Sequence, residues 1–293
     1  MDSRTKGIIA TVFAAVFFST AGLVIKILPQ SAYSILFFRS LFCFLLFLMI
    51  FRKKALKINK LSLIGAGLFY VPLVICFVLA TKLTTAANAI FLQYAAPAFV
   101  LLLEPKLLNI KLKGINIFTV VVCLAGMTLF FIDQLEKPDN WWGIILAVAS
   151  AFALAGFLIV QKMNHSDYLI PTITYGNLFV VLIMFPIVIQ ETPPNYLQLS
   201  YMAFLGFVQL GVGYLFFTYG QKHISAIESA LIAMLEPILN PMWVMIGYGE
   251  KPGGWAILGG LIIILALIFR MIFLSVTTKK VKDLATSEDE LLT

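Results

Sequence analysis

Along the chain, apolar residues run in stretches of about twenty that stop at clusters of charge, proline and asparagine. Ten such runs cover about 7–28, 32–51, 61–81, 84–104, 111–132, 141–161, 169–189, 197–220, 223–248 and 253–274. A membrane-crossing helix needs roughly 20 mostly apolar residues at ~1.5 Å each. The runs lack the alternation of a membrane barrel, and lipid offers no partner to an open backbone. The pattern predicts an all-α integral membrane fold of ten transmembrane helices.

The runs repeat. GIIATVFAAVFFSTAGLVIK begins at Gly7 and GIILAVASAFALAGFLIVQK at Gly143, with seven identities at an offset of 136 residues. Lys82, Ala86, Pro97, Lys111, Gly114 and Ile117 recur as Lys222, Ala226, Pro237, Lys251, Gly254 and Ile257, each 140 residues on. Matches at a nearly fixed offset in two places predict a duplicated unit, and duplicated membrane units are typical of transporters. Five spans per copy start the second copy on the opposite face. Two inverted five-helix repeats, 7–132 and 141–274, are therefore expected around a pseudo-two-fold axis in the membrane plane. Residues 1–6 form a short N-terminus and the polar stretch 133–140 a connector. Residues 275–293 read as a disordered tail.

Charged residues are 12% of the chain and the AVILMFWYC set 61%, against ~25% charged in soluble domains. With the N-terminus in the cytoplasm, fifteen Lys and Arg fall on that side and only Lys82, Lys137 and Lys251 opposite. The positive-inside rule then places both termini in the cytoplasm of a plasma membrane, the inner membrane of a bacterial cell. That also accounts for the net charge of +7 without a nucleic-acid partner. Cys43, Cys76 and Cys123 all lie within spans, as small buried hydrophobes rather than a disulfide framework. Ala147, Ala151 and Ala155 allow close packing of the sixth span. Gly259-Gly260 serves packing within the monomer or a homodimer interface, and the sequence leaves both open.

The ten-span repeat, Arg39 early in the second span, Glu236-Pro237 in the ninth and Gly249-Glu250 after it together resemble the EamA-type group of the drug/metabolite transporter superfamily, which includes YddG-like exporters of amino acids and metabolites. The resemblance covers about 7–274. It implies a substrate cavity between the halves, lined by the first, third, fourth, sixth, eighth and ninth spans. The halves are chemically unequal: Ala96-Pro97 stands opposite Glu236-Pro237, and Asn109-Ile110 opposite Gly249-Glu250.

Glu236 lies about thirteen residues into the ninth run, hence roughly 20 Å deep. Desolvation there favours the neutral acid. Glu228, Ile232, Glu236 and Asn240, with Trp243 three further on, share one helix face. Glu236 either couples transport to protons, with Glu228 the next candidate, or locks helices together. Pro97 and Pro237 each free a carbonyl four residues back, at Gln93 and Ala233. Beside Gln93 and Tyr94 these make a polar patch or only a kink. Asn88 could line the same cavity. Ser19, Gly22 and Lys26 share a face of the first span, where Lys26 either snorkels to the interface or attracts a substrate carboxylate. Arg39 is expected to pair with an acid or a helix C-terminus in a structural role. Tyr214 and Tyr219, near Gln209, Gly213 and Gly220, suit either an amphipathic ligand or plain packing.

No phosphate loop supports ATP-driven pumping, and no Ser/His, paired-Asp or HExxH constellation supports an intramembrane enzyme. No cofactor or metal site is expected. A secondary carrier of a small molecule, an amino acid or related amine, fits best. Uptake or exchange of a nucleoside-like or cationic metabolite or drug is the alternative. A channel would favour repeated polar rings over unequal halves.

Overall fold

The computed structural model describes residues 2–108, 114–136, 140–224, 232–233 and 235–291. Glu228, Asn109-Ile110 and the middle of the connector lie outside these. The principal helices are α1 (Ser3–Ile27), α2 (Ala32–Leu56), α3 (Lys60–Leu83), α4 (Ala86–Leu103), α5 (Gly114–Glu136), α6 (Trp141–Met163), α7 (Leu169–Val188), α8 (Tyr196–Gly220), α9 (Leu235–Tyr248) and α10 (Gly254–Leu291). No strand occurs among the described residues. Seven of the helices, α1–α4 and α6–α8, are long and apolar enough to cross a membrane. In α5 and α10 the apolar parts are shorter, Gly114–Leu129 and Gly254–Arg270.

The packing has the symmetry of an inverted repeat. α1 packs on α8 as α3 packs on α6, and α1 packs on α9 as α6 packs on α4. The pairs α2–α7, α4–α9 and α5–α10 are their own images. All of these contacts survive exchange of each helix with the one five places on. The two glycines that open the sequence repeat fix the direction. A Cβ on Gly7 would stand 2.7 Å from His223 Cβ, and one on Gly143 2.8 Å from Thr84 Cβ. Both contacts are too tight for a side chain, so glycine is what lets α1 and α6 meet the chain leaving α8 and α3. Gly143 thus starts α6 beside Thr84, whose carbonyl accepts from Lys26 near the end of α1. The two helices run in opposite senses.

Local structure follows the same symmetry. α3 and α8 each begin with an asparagine capping box, Asn59 with Ser62 and Asn195 with Gln198. Each then widens into a π-helix, at Gly65–Tyr70 and Phe204–Val212, a form that recurs at functional sites. α1 breaks at Thr20, where Ser19 and Thr20 hydroxyls donate back to the Val16 and Phe17 carbonyls at 2.7 Å each, a pattern that bends helices. α4 breaks at Tyr94-Ala95, just before Pro97.

Ala147, Ala151 and Ala155 are fully buried in α6, as the small-residue spacing requires. Gly260 packs on Phe91, and the Gly259 carbonyl lies against Gly126, so these glycines serve packing within the chain. Two expectations are corrected. α5 continues into the connector as far as Glu136. α10 continues to Leu291 where a disordered tail was expected, because no Gly or Pro follows Gly260 to stop it.

Candidate functional site

Pro237 stands at the α4–α9 contact between the repeats. Pro237 cannot bond the Ala233 carbonyl, and that oxygen accepts instead from the Tyr94 hydroxyl at 3.0 Å. The same hydroxyl lies 2.8 Å from Glu236 Oε2. A phenol has one proton. Both contacts are hydrogen bonds at once only when Tyr94 donates to the carbonyl and a protonated Glu236 donates to Tyr94. Glu236, Tyr94 and Tyr214 are each only half-buried, so each keeps some open space beside it.

A second cluster lies across α2, α3, α7 and α8. Asn177 donates to the Tyr70 hydroxyl and to the Ile173 carbonyl, each at 2.9 Å. Arg39 lies one helical turn before Cys43, whose sulfur Asn177 approaches at 3.6 Å. Its residue is 4% exposed, and its Nε and Nη1 have no hydrogen-bond partner. Among the described residues no acid lies within ion-pairing distance of it, and Glu236 is engaged by Tyr94.

The other sequence candidates are distributed more widely. Trp243 Nε1 donates to Ser19 Oγ at 2.9 Å, joining α9 to the bend of α1. Asn240 does not line the space. It is fully buried, with both amide atoms unpartnered, in the slot that Gly22 leaves by lacking a side chain. Gln93 donates to Ser150 of α6 at 2.7 Å. Asn88 is buried in the first turn of α4, its amide nitrogen 3.0 Å from Thr84 Oγ1, so it braces that turn.

Lys26 does neither of the things expected of it. It pairs with Glu250 at 2.6 Å, with side chains only 12% and 16% exposed. Glu250 Oε1 also accepts from the Ala86 N–H at 2.6 Å, at the start of α4. Gly249, at φ +79°, supplies the left-handed turn that returns Glu250 onto this end. One carboxylate thus ties the ends of α1 and α9 to the start of α4. Beside it, Ser31 and Ser34 at the start of α2 donate to Glu191 at 2.7 and 2.5 Å. At the opposite end, the Lys57–Asp167 pair is 3.7 Å long and its side chains are 50% and 60% exposed. Asn59 bonds Asn164 there at 2.8 Å.

Sequence reasoning missed Tyr70, Asn177 and Glu191. Asn177 carried a signal, being the lone amide inside an otherwise apolar α7 run, whereas Tyr70 reads as one aromatic among many. Glu191 lies beyond the apolar part of α7, where an acid looks like ordinary loop.

These helices form an all-helical membrane fold in two repeats, with an acid bonded across them. The chain belongs to the EamA-like transporter family, whose model matches residues 5–132 and 141–272, once on each repeat. It is 25% identical over 307 residues to a protein of Clostridium kluyveri described as an uncharacterized transporter, covering 95% of this chain and 96% of that one. A protein of Archaeoglobus fulgidus with the same description is 22% identical, covering 88% of this chain and 94% of its own length. A solved crystal structure aligns with TM-score 0.61 over 89% of this chain and 95% of the other, at 14% identity, a likeness of fold alone.

Proposed function

We propose that this transporter is a secondary carrier that moves an amino acid or related amine across the plasma membrane by alternating access, coupled to protons through Glu236. Ten spans with both termini in the cytoplasm complete this reading. It is supported by the basic asymmetry of the loops and by the ten-helix exchange symmetry of the packing.

The observation that carries the proposal is the Tyr94 bridge to Glu236 and Ala233. With a protonated carboxyl, both hydrogen bonds across the repeats form. Once Glu236 ionises, the Tyr94 proton turns to the carboxylate and the Ala233 carbonyl loses its partner. A substrate ammonium favours the ionised carboxylate, so substrate and proton compete for one group. That competition lets a pH gradient bias which side the carrier loads from. The end tied by Lys26 and Glu250 is the extracytoplasmic one in this reading, and this conformation is closed there.

The test is purified protein in liposomes. Glu236→Gln keeps size and imitates the protonated form. It abolishes pH-driven accumulation while sparing substrate exchange, which needs no net protonation change. Retained pH-driven accumulation overturns Glu236 as the coupling group and moves attention to Glu228.

A further inference from the structure

A guanidinium carries five N–H donors and stays charged at any physiological pH. Proteins keep such a group deep in a membrane fold only when something answers it. In Arg39 two nitrogens, Nε and Nη1, have no hydrogen-bond partner, and the residue is 4% exposed. Among the described residues no carboxylate lies within ion-pairing distance of it. Asn177 of α7 donates to the Tyr70 hydroxyl oxygen at 2.9 Å, which leaves the Tyr70 proton for a further acceptor. The Asn177 amide also approaches Cys43 Sγ at 3.6 Å, one turn from Arg39, which sets this cluster against the helix that carries the guanidinium. The close approach that builds this corner is also specific. Gly206 in the π-segment of α8 lies against the Arg39 carbonyl, where a Cβ would come within 2.6 Å.

We propose that Arg39 is the carboxylate subsite of the transported molecule. This rests on the carrier reading above and narrows it. Arg39 takes the carboxylate while Glu236 takes the ammonium, so the substrate carries both charges, as an α-amino acid does. A simple amine or cationic drug leaves the guanidinium unanswered and places a second cation near it. Such a site rejects a molecule lacking the carboxylate because its own buried donors then stay unpaired.

The discriminating experiment is counterflow in proteoliposomes holding the full chain. The panel contains the proteinogenic L-amino acids, their methyl esters and the amines left by decarboxylation. Wild type is expected to exchange at least one amino acid saturably, and its matched ester and amine about tenfold to a hundredfold less well, the range for losing a charged hydrogen-bonded contact. Arg39→Gln is expected to raise KM for the acid by a similar factor and to bring acid and ester within about twofold of each other. Arg39→Lys, which keeps the charge, retains part of the preference; a purely structural arginine would not alter the acid-to-ester ratio at all. Should Arg39→Gln fail to fold, the wild-type ratio still decides. Saturable exchange of esters or amines equal to that of the acids overturns the Arg39 subsite while leaving the carrier intact. Absence of saturable exchange for every panel member overturns the amino-acid carrier itself.

Discussion

Replacing Glu250 with alanine removes the carboxylate that joins α1, α4 and α9 at one end of the bundle. Two contacts go at once: the 2.6 Å pair with Lys26 and the 2.6 Å hydrogen bond from Ala86 N–H. Breaking a fully buried pair costs about 3–5 kcal/mol, because the remaining charge is left without a partner. Here the two side chains are 12% and 16% exposed, so water recovers part of that for Lys26. About 2–3 kcal/mol is the appropriate figure. If the loss falls only on the conformation closed at this end, the open population rises by roughly 30- to 150-fold. The assay uses a variant lacking Cys43, Cys76 and Cys123, with Ala87→Cys as reporter; Ala87 is buried in the first turn of α4 directly behind the tie. Its reaction rate with a membrane-impermeant maleimide follows the open population and rises by that factor in Glu250→Ala. Glu250→Gln keeps an acceptor for Ala86 and shows a smaller rise. Lys26→Gln and Glu250→Gln combined give less than the product of their separate effects, because they remove one shared contact. A labelling rate within about twofold of the parent, with or without a fall in melting temperature, refutes the gate and leaves only a structural brace.

Gly143→Leu and Gly7→Leu force side chains into contacts already closed at Cβ; each should cost about 1–3 kcal/mol, read as a lower melting temperature, and an unchanged one refutes the packing argument. Tyr94→Ala and Tyr214→Ala are expected to weaken transport with melting near wild type; normal transport in both removes them from the cavity, and failure of both to fold favours a packing role. Cysteines placed at Lys137 and Lys57 in the background without native cysteines test the orientation. The first is expected to react from outside and the second only after permeabilisation, and outside labelling of both overturns it.

The sequence already contained the architecture, because helix formation in lipid depends on run length and composition, and a repeat survives as position-by-position identity. Gly7 and Gly143 were legible as matches, but not why they match. The reason is a backbone approach to His223 and Thr84, residues far away in the chain. Glu236, Tyr94 and the carbonyl freed by Pro237 were legible because each follows from local rules: burial depth, and a missing N–H. The surroundings of Lys26 and Asn240 were out of reach because they are set by residues on other helices. A lysine near a helix end looks the same whether it snorkels or meets Glu250. An amide on the Glu236 face looks like a cavity residue until Gly22 is found opposite it.

The unequal halves acquire a physical meaning from these contacts. A perfect two-fold repeat would close both ends with equal free energy, and the carrier would have no resting preference. This chain breaks the symmetry where the second half has Gly249-Glu250 and the first has Asn109-Ile110. An isoleucine cannot accept from a backbone N–H or pair with a lysine. Among the described residues, the Lys26–Glu250 pair at one end is shielded and the Lys57–Asp167 pair at the other is exposed. Exposed pairs contribute about 0–1 kcal/mol, against the 2–3 kcal/mol worked out above for the tie. The difference of about 2 kcal/mol is small enough for differential substrate and proton binding to reverse, yet large enough to set the resting conformation. Removing the tie with Glu250→Gln should therefore even out the two ends, changing the choice of face. Measured as the ratio of labelling rates at the two ends, that ratio is expected to move toward one; no movement means the asymmetry of the resting state lies elsewhere in the bundle.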